Sequence, residues 1–387
     1  MSNSTYIQIY KLLLYFLLTL AMITNGQSAL YIILVVTIIM LILYINQPKK
    51  KIYSKTIYTN IVFQIVLVLV EYFRFKNTIS FYQWDNSIFR FYGVIFCLLL
   101  VPPLYEVICE DKDIFLKNLN RLGLIVLFVR VMSWYIYNTR GLDIGFTFLQ
   151  GRPEWVKSMA GIPLIRMPGM FLEGFLLCYS VAFLLKSKGK IKVAYFIEIL
   201  FLFFYEWVVF QSRGYLIIYT LVIYITFIYY LIHNRKIIAC ISILVLGILL
   251  LSLFHNMIFS SFSTTGTYAV STNTRILEYS YFPELWNRSS IIWGFGLTPD
   301  TLEGIVTISD MNFIINLYQF GIIGLLIRIS PFVVGFIILL KYKKEKIFFL
   351  AFNLFCLFFS IFFNPYMYMT IFLLPLYLSY SMYVEYK

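Results

Sequence analysis

The side chains best suited to chemistry are arginines and a few carboxylates standing at the ends of apolar runs. Arg213 lies in Gln211-Ser212-Arg213-Gly214, a short link between two such runs. Arg275 and Arg288 lie in a long polar stretch that goes on to Gly294-Phe295-Gly296, and Arg140, Arg152 and Arg166 lie in an earlier one. A guanidinium is permanently charged and presents a planar fork of donors that matches phosphate or carboxylate oxygens two at a time. These positions therefore point to a ligand rich in such oxygens. Asp310, at the start of an apolar run, and Glu173, about one and a half turns inside another, are the carboxylates able to take a proton from a reacting hydroxyl. Asp310 also suits a helix N-cap, and the two roles are compatible. An ionisable residue in hydrocarbon is costly, which singles out Glu173. Arg130 and Glu206 meet the same test, with a structural Arg–Glu pair as the alternative.

Other chemistries find little support. His233 and His255 stand apart, and the sequence has no H-x-x-x-H and no Walker glycine loop. One D-x-D occurs, Asp111-Lys112-Asp113, but beside Glu110 and among lysines it reads as a solvated connector. The acids in the polar stretches form no such pair, so neither a metal nor a cofactor is expected. The five cysteines lie in or at the ends of apolar runs without a C-x-x-C spacing, so neither a disulfide framework nor a zinc site is expected.

The elements that must position these residues are membrane helices. The chain is 61% apolar and 13% charged, against about 25% charged for a soluble domain. Runs of about twenty apolar residues recur and are long enough to cross about 30 Å of hydrocarbon. The reading is all-α, a polytopic integral membrane protein of about twelve transmembrane helices, near residues 7–24, 28–46, 57–73, 89–108, 122–138, 168–185, 193–210, 215–232, 237–256, 313–340, 347–363 and 367–383. The first run lacks a small-residue cleavage site and reads as a retained helix. The tenth is long enough to be an interfacial turn followed by a span, with Pro331 as a kink.

Alternate connectors are basic through lysine: Lys49, Lys50, Lys51 and Lys55; Lys112 and Lys117; Lys186, Lys188, Lys190 and Lys192; Lys236; Lys341, Lys343, Lys344 and Lys346. Lysine in short loops marks the cytoplasmic side, which puts both termini inside, with Arg121 and Arg235 beside the lysines, and the other loop arginines outside. The net charge of +13 is thereby accounted for by anionic lipid and insertion, without nucleic acid. Two outer loops are long, 138–167 and 257–312. Loops of that length are usually functional or disordered, and their aromatic content argues against disorder. The whole chain, 1–387, reads as a single transmembrane domain.

On four groups of residues the chain resembles the O-antigen and capsular polysaccharide polymerases (Wzy), in the superfamily of the O-antigen ligases (WaaL). Arg166-x-x-Gly169-x-x-x-Glu173 resembles a pattern of Arg, Gly and Glu-Pro, with Gly174 here in place of the proline. Ser212-Arg213-Gly214 is similar to a Ser-Arg-Gly/Ala turn between central spans. Arg275 followed by Gly294-x-Gly296 is similar to the arginine and glycine turn of a large outer loop, and the Arg140 to Gly151 spacing also has a counterpart. Asp310-Met311 before Gly321-x-x-Gly324 has the spacing of a His-Asn…Gly-x-x-Gly signature, with an acid replacing the ligases' histidine. The likeness covers residues 140–340.

The resemblance implies polymerisation of undecaprenyl-diphosphate-linked oligosaccharide repeat units into a surface polysaccharide such as lipopolysaccharide O-antigen or capsule, at the outer face of a bacterial inner membrane. It implies a flippase and a chain-length regulator as partners. Without a metal, Arg213 and Arg275 would stabilise the leaving diphosphate, with Arg166, Arg288 or Arg140 assisting, and Asp310 or Glu173 would serve as the base. Trp286 and Trp293 would stack on sugar rings or anchor the protein at the interface. A lipid-linked oligosaccharide flippase and a ligase-type glycan transferase remain the alternatives.

Overall fold

A helix satisfies its own backbone donors and acceptors, so an apolar chain without water folds as helices. The computed structural model describes all residues except 1, 25–29, 51–53, 77–94, 96, 150, 152, 154–155, 160–161, 246, 248–251, 253–271, 274–275, 278–279, 281–290, 295–300, 303–305, 308–311, 342–345, 364–371 and 387. The described residues are mostly helical. The helices are α1 (Asn3–Thr24), α2 (Leu30–Ile45), α3 (Lys55–Lys76), α4 (Val101–Arg140), α5 (Glu173–Lys186), α6 (Gly189–Phe204), α7 (Arg213–His233), α8 (Asn312–Lys341), α9 (Lys346–Phe362) and α10 (Leu373–Tyr386). Residues 237–245 are helical as well. Two antiparallel ribbons interrupt the helices: β1 (Val156–Met159) pairs with β2 (Ile162–Ile165), and β3 (Thr301–Leu302) with β4 (Val306–Thr307).

Three of these helices are long and apolar enough to cross a membrane: Asn3–Thr24, Arg213–His233 and Phe320–Lys341. Shorter apolar helices run over Tyr31–Ile45, Lys55–Val70 and Ile347–Ile361. Their outward faces carry bare aliphatics, among them Ile32, Val35 and Ile42 on α2. Apolar surface on that scale suits hydrocarbon better than water.

Several expected boundaries are corrected. Between the expected fourth and fifth spans α4 breaks at Asp111 (φ −152°, ψ 61°), and the connector expected there is helical on both sides of that residue. Residues 109–121 are charged but hold neither glycine nor proline, so they stay helical on either side of Asp111. At the bend Lys11 meets Asp111 at 3.4 Å and Lys112 meets Asp113 at 3.3 Å, as suits a charged connector. The sixth span starts at Glu173, not at 168. Pro168 and Gly169 keep 166–170 non-helical, so Glu173 is the first residue of α5 rather than one and a half turns inside it.

In α8 the break falls at Gly321 (φ 65°, ψ −168°), not at Pro331. Pro331 lacks the N–H that the Ile327 carbonyl would have received. Ser330 Oγ donates to that carbonyl instead, at 2.7 Å, and so does Gln64 Nε2 from α3. With the orphan satisfied, the helix runs through the proline.

The helices pack through aromatics. Phe175 of α5 meets Phe348 and Phe352 of α9 edge-on, with centroids 5.8 and 6.0 Å apart. An ideal Cβ on Gly174 would lie 2.0 Å from the Phe355 ring, so α5 approaches α9 only as glycine. Proline is tolerated at the start of a helix. Gly174→Pro would supply the Glu-Pro dipeptide of the resembling family, yet it is expected to destabilise by about 1–3 kcal/mol through overpacking. Gly174→Pro with Phe355→Ala should recover part of the loss, read as the thermal midpoint in detergent.

Candidate functional site

The last turn of α6 widens into a π-turn over Tyr205–Val209, closed by Phe210 N donating to the Tyr205 carbonyl at 2.8 Å. The wider turn buries Tyr205, Glu206 and Val209 and leaves Trp207 outward. π-turns of this kind are frequent at functional sites. Gln211 then takes φ 55°, unusual for a residue with a side chain. Ser212 caps α7: its hydroxyl accepts from Tyr215 N at 3.5 Å, and its own N–H donates to the Glu206 carbonyl at 3.0 Å. Arg213 is thereby the first residue of α7 and half-buried. The place of a Gly214 Cβ is filled by the Phe363 ring at 2.6 Å. Gly214 thus serves the packing of α7 against Phe363.

The segment holding Arg166 is pinned to this turn. Met167 N donates to the Val209 carbonyl at 3.1 Å, and Arg166 Nε donates to the Phe210 carbonyl at 2.8 Å. The Arg166 guanidinium also lies 5.6 Å from the centre of the Phe210 ring. From the other side Trp134 Nε1 donates to the Ile165 carbonyl at 2.7 Å, and Asn138 brackets Ile165 by its amide and its oxygen. Arg140, two residues on, ends α4 exposed at this same end of the bundle. Beyond it the first long loop folds back: Phe146 stacks on Tyr137 at 4.1 Å, and Gly151 lies so close that a Cβ would strike the Phe146 ring. Packing therefore accounts for Gly151.

Behind Arg166 and Arg213 lies a buried polar cluster. Arg130, wholly buried, donates from Nε to Tyr205 Oη at 3.1 Å, from Nη1 to the Met22 carbonyl at 3.5 Å, and from Nη2 to the Pro168 carbonyl. Tyr205 Oη donates to the same Pro168 carbonyl at 2.9 Å. Glu173 Oε1 accepts from Met170 N at 2.7 Å, and Glu206 Oε1 accepts from Tyr219 Oη at 3.1 Å. The two carboxyls act on each other, the Oε2 of each is buried with no hydrogen-bond donor on it, and Arg130 acts on Glu173 by charge alone. The expected Arg–Glu pairing is thus replaced by a Glu–Glu pair, with the arginine committed to main-chain oxygens. A Cβ on Gly169 would stand 2.8 Å from Glu173 Oε2, so only glycine leaves that carboxyl its place.

A second meeting point joins the later motifs. The break at Gly321 frees the first amides of the following helix, and Ile322 N and Ile323 N donate to the carbonyls of Ile291 and Ile292 at 3.0 and 3.3 Å. A Cβ on Gly321 would lie 2.3 Å from the Ile292 oxygen and 2.6 Å from Gly294 N. The segment Ile291–Gly294 is therefore docked on the Gly321-x-x-Gly324 helix, with Trp293 exposed beside it. Gly321→Ala is strained by backbone and by clash alike, and is expected to release this contact. The measurement is limited proteolysis, with a new cut near residues 291–294.

Arg275, Arg288 and Asp310 lie outside the described residues, as do Arg152, Trp286 and Gly296. Of the remaining candidates the structure gathers Arg166, Arg213 and Glu173, with Arg140 at the same end. Two residues stand out beyond sequence expectation. Glu206 is the partner of Glu173, which no local spacing reveals. Arg328 on α8 is buried with its guanidinium 4.4 Å from the centre of the Phe320 ring. A lone arginine inside an apolar run was the available signal for it. No protein-family model, curated protein or solved structure matches this chain.

Proposed function

We propose that the chain is a polymerase of lipid-diphosphate-linked oligosaccharide units, resembling the O-antigen and capsular polymerases, in a bacterial inner membrane. In this reading some twelve spans place both termini in the cytoplasm and the Arg213 end of the bundle outside. The observation that carries it is the pinning of the Arg166 segment to the Phe210–Arg213 turn, which brings two guanidinium-bearing segments together at one end of apolar helices. Such a site suits the diphosphate of a polyprenyl carrier, whose head group lies at the interface while its chain stays in lipid.

The reaction joins the hydroxyl of an incoming unit to the anomeric carbon of the growing glycan. The new C–O bond forms as the bond from that carbon to the diphosphate breaks, with inversion. The leaving group gains negative charge, which Arg213 and Arg275 stabilise, assisted by Arg166, Arg288 or Arg140. A carboxylate takes the hydroxyl proton. Asp310 leads for that role, because Glu173 is fully buried against Glu206.

The test is the gel profile of surface polysaccharide from a strain lacking the gene, complemented with the wild type or Arg213→Ala. A ladder reduced to one repeat unit supports the polymerase. Loss of even the single unit supports a flippase or ligase. Transporter sites are often built on helices broken in mid-membrane. The α8 break stands instead at the end of the apolar stretch Phe320–Lys341, which favours the polymerase.

A further inference from the structure

We infer that Glu206 is a positioning residue: it shares one proton with Glu173, and that shared proton joins the two arginine-bearing segments. The inference rests on the proposed role of Arg166 and Arg213 in binding diphosphate. Two neighbouring buried carboxyls, each with an Oε2 that no donor reaches, are satisfied by a proton held between them, since each ionised oxygen only accepts. The other donors are already placed. Met170 N serves Glu173 Oε1 and Tyr219 Oη serves Glu206 Oε1, while the buried Oε2 of each receives no other N–H or O–H.

The pair lies between the two segments. Glu173 holds the Met170 amide, four residues from Arg166, and the Glu206 carbonyl holds the Ser212 amide, next to Arg213. With the proton in place the carboxyls attract. Without it two buried anions repel, and the Arg166 segment separates from the Arg213 turn. The charged and titratable groups facing the pair are Arg130 from α4, Tyr205 from the π-turn itself, and Tyr215 and Tyr219 from α7. α9 meets this cluster through Phe355 and Phe359. Arg130, engaged by two carbonyls and Tyr205 Oη, is not free to turn and neutralise a second carboxylate.

Glutamine at 206 supplies a permanent N–H to Glu173 and still accepts from Tyr219, so it preserves the link without a labile proton. The test uses the full chain in nanodiscs, with inorganic pyrophosphate as probe and calorimetry across a pH series. The wild type should lose affinity as pH rises. Glu206→Gln should hold its affinity through the same range, and Glu206→Ala should be weaker by about tenfold at every pH. Titration of pyrophosphate itself is common to all three proteins and cancels in the comparison. Infrared spectra over the same series should show a protonated-carboxyl C=O band in the wild type that fades as pH rises and is absent from Glu206→Gln.

If that band is missing from the wild type, or Glu206→Gln keeps the wild-type pH dependence, the shared proton is overturned and the arginine site stands. If no variant binds pyrophosphate, the arginine site is overturned, and the infrared band alone decides whether the pair holds a proton.

Discussion

Arg213→Ala, expressed at the normal level, is expected to lower polymer formation about 10²-fold or more. The position allows a clean reading. Arg213 is the first residue of α7, and its helix start is capped by Ser212, not by the arginine itself. Alanine favours helix there, and the unfolding midpoint in detergent separates a loss of fold from a loss of chemistry. What the change removes is a positive fork at the end of the bundle, where in the proposed reaction the departing diphosphate would gather charge. Arg213→Lys keeps the charge but loses the planar two-point contact, and should recover only a small part of the rate. Single-turnover transfer with a purified lipid-linked unit measures this. A full-length ladder from Arg213→Ala would sink the arginine mechanism.

Arg130→Ala should destabilise the protein by roughly 3 kcal/mol or more. The guanidinium is wholly buried and closes three contacts at once, to α1 through Met22, to the segment before α5 through Pro168, and to the π-turn through Tyr205. Truncation leaves those oxygens short of donors, opens a large cavity and removes the positive charge nearest Glu173. Arg130→Lys cannot reach all three with one ammonium and should fall between. The expected reading is a lower unfolding temperature in detergent, with a smaller change for Tyr205→Phe, which loses one donor and one acceptor. An unchanged midpoint for Arg130→Ala would show that the guanidinium holds nothing together.

Helix content and the alternation of lysine connectors were legible in the sequence, because apolar runs and charge report where chain meets hydrocarbon. Where one helix ends and another begins was less so. The charged stretch Glu110 to Lys117 reads as a loop, yet apart from the break at Asp111 it is helical, since it holds neither glycine nor proline. Pro331 looks like the kink of α8, but Gln64 and Ser330 repair its lost bond. Gly321 looks like half of a small-residue spacing and proves to be the break, because the carbonyls of Ile291 and Ile292 replace the missing helical partners. Ser330 is local, but the Gln64 amide and the carbonyls of Ile291 and Ile292 come from elsewhere in the chain, so no window around the proline or glycine contains them. The arginines could be picked by type. Glu173 against Glu206 could not, since only the packing of α5 on the π-turn brings them together.

Two of the three oxygens held by Arg130 belong to the main chain, at Met22 and Pro168. No side-chain exchange removes a carbonyl, so the loss of this arginine cannot be matched by a change in what it binds. Only Tyr205 can answer it directly. A screen for second-site suppressors of Arg130→Ala should therefore return few changes at 22 or 168. It should return instead new donors on α1 or the π-turn, or larger side chains that fill the space. In a pairwise covariation map position 130 would look nearly solitary, although it ties three parts of the bundle together.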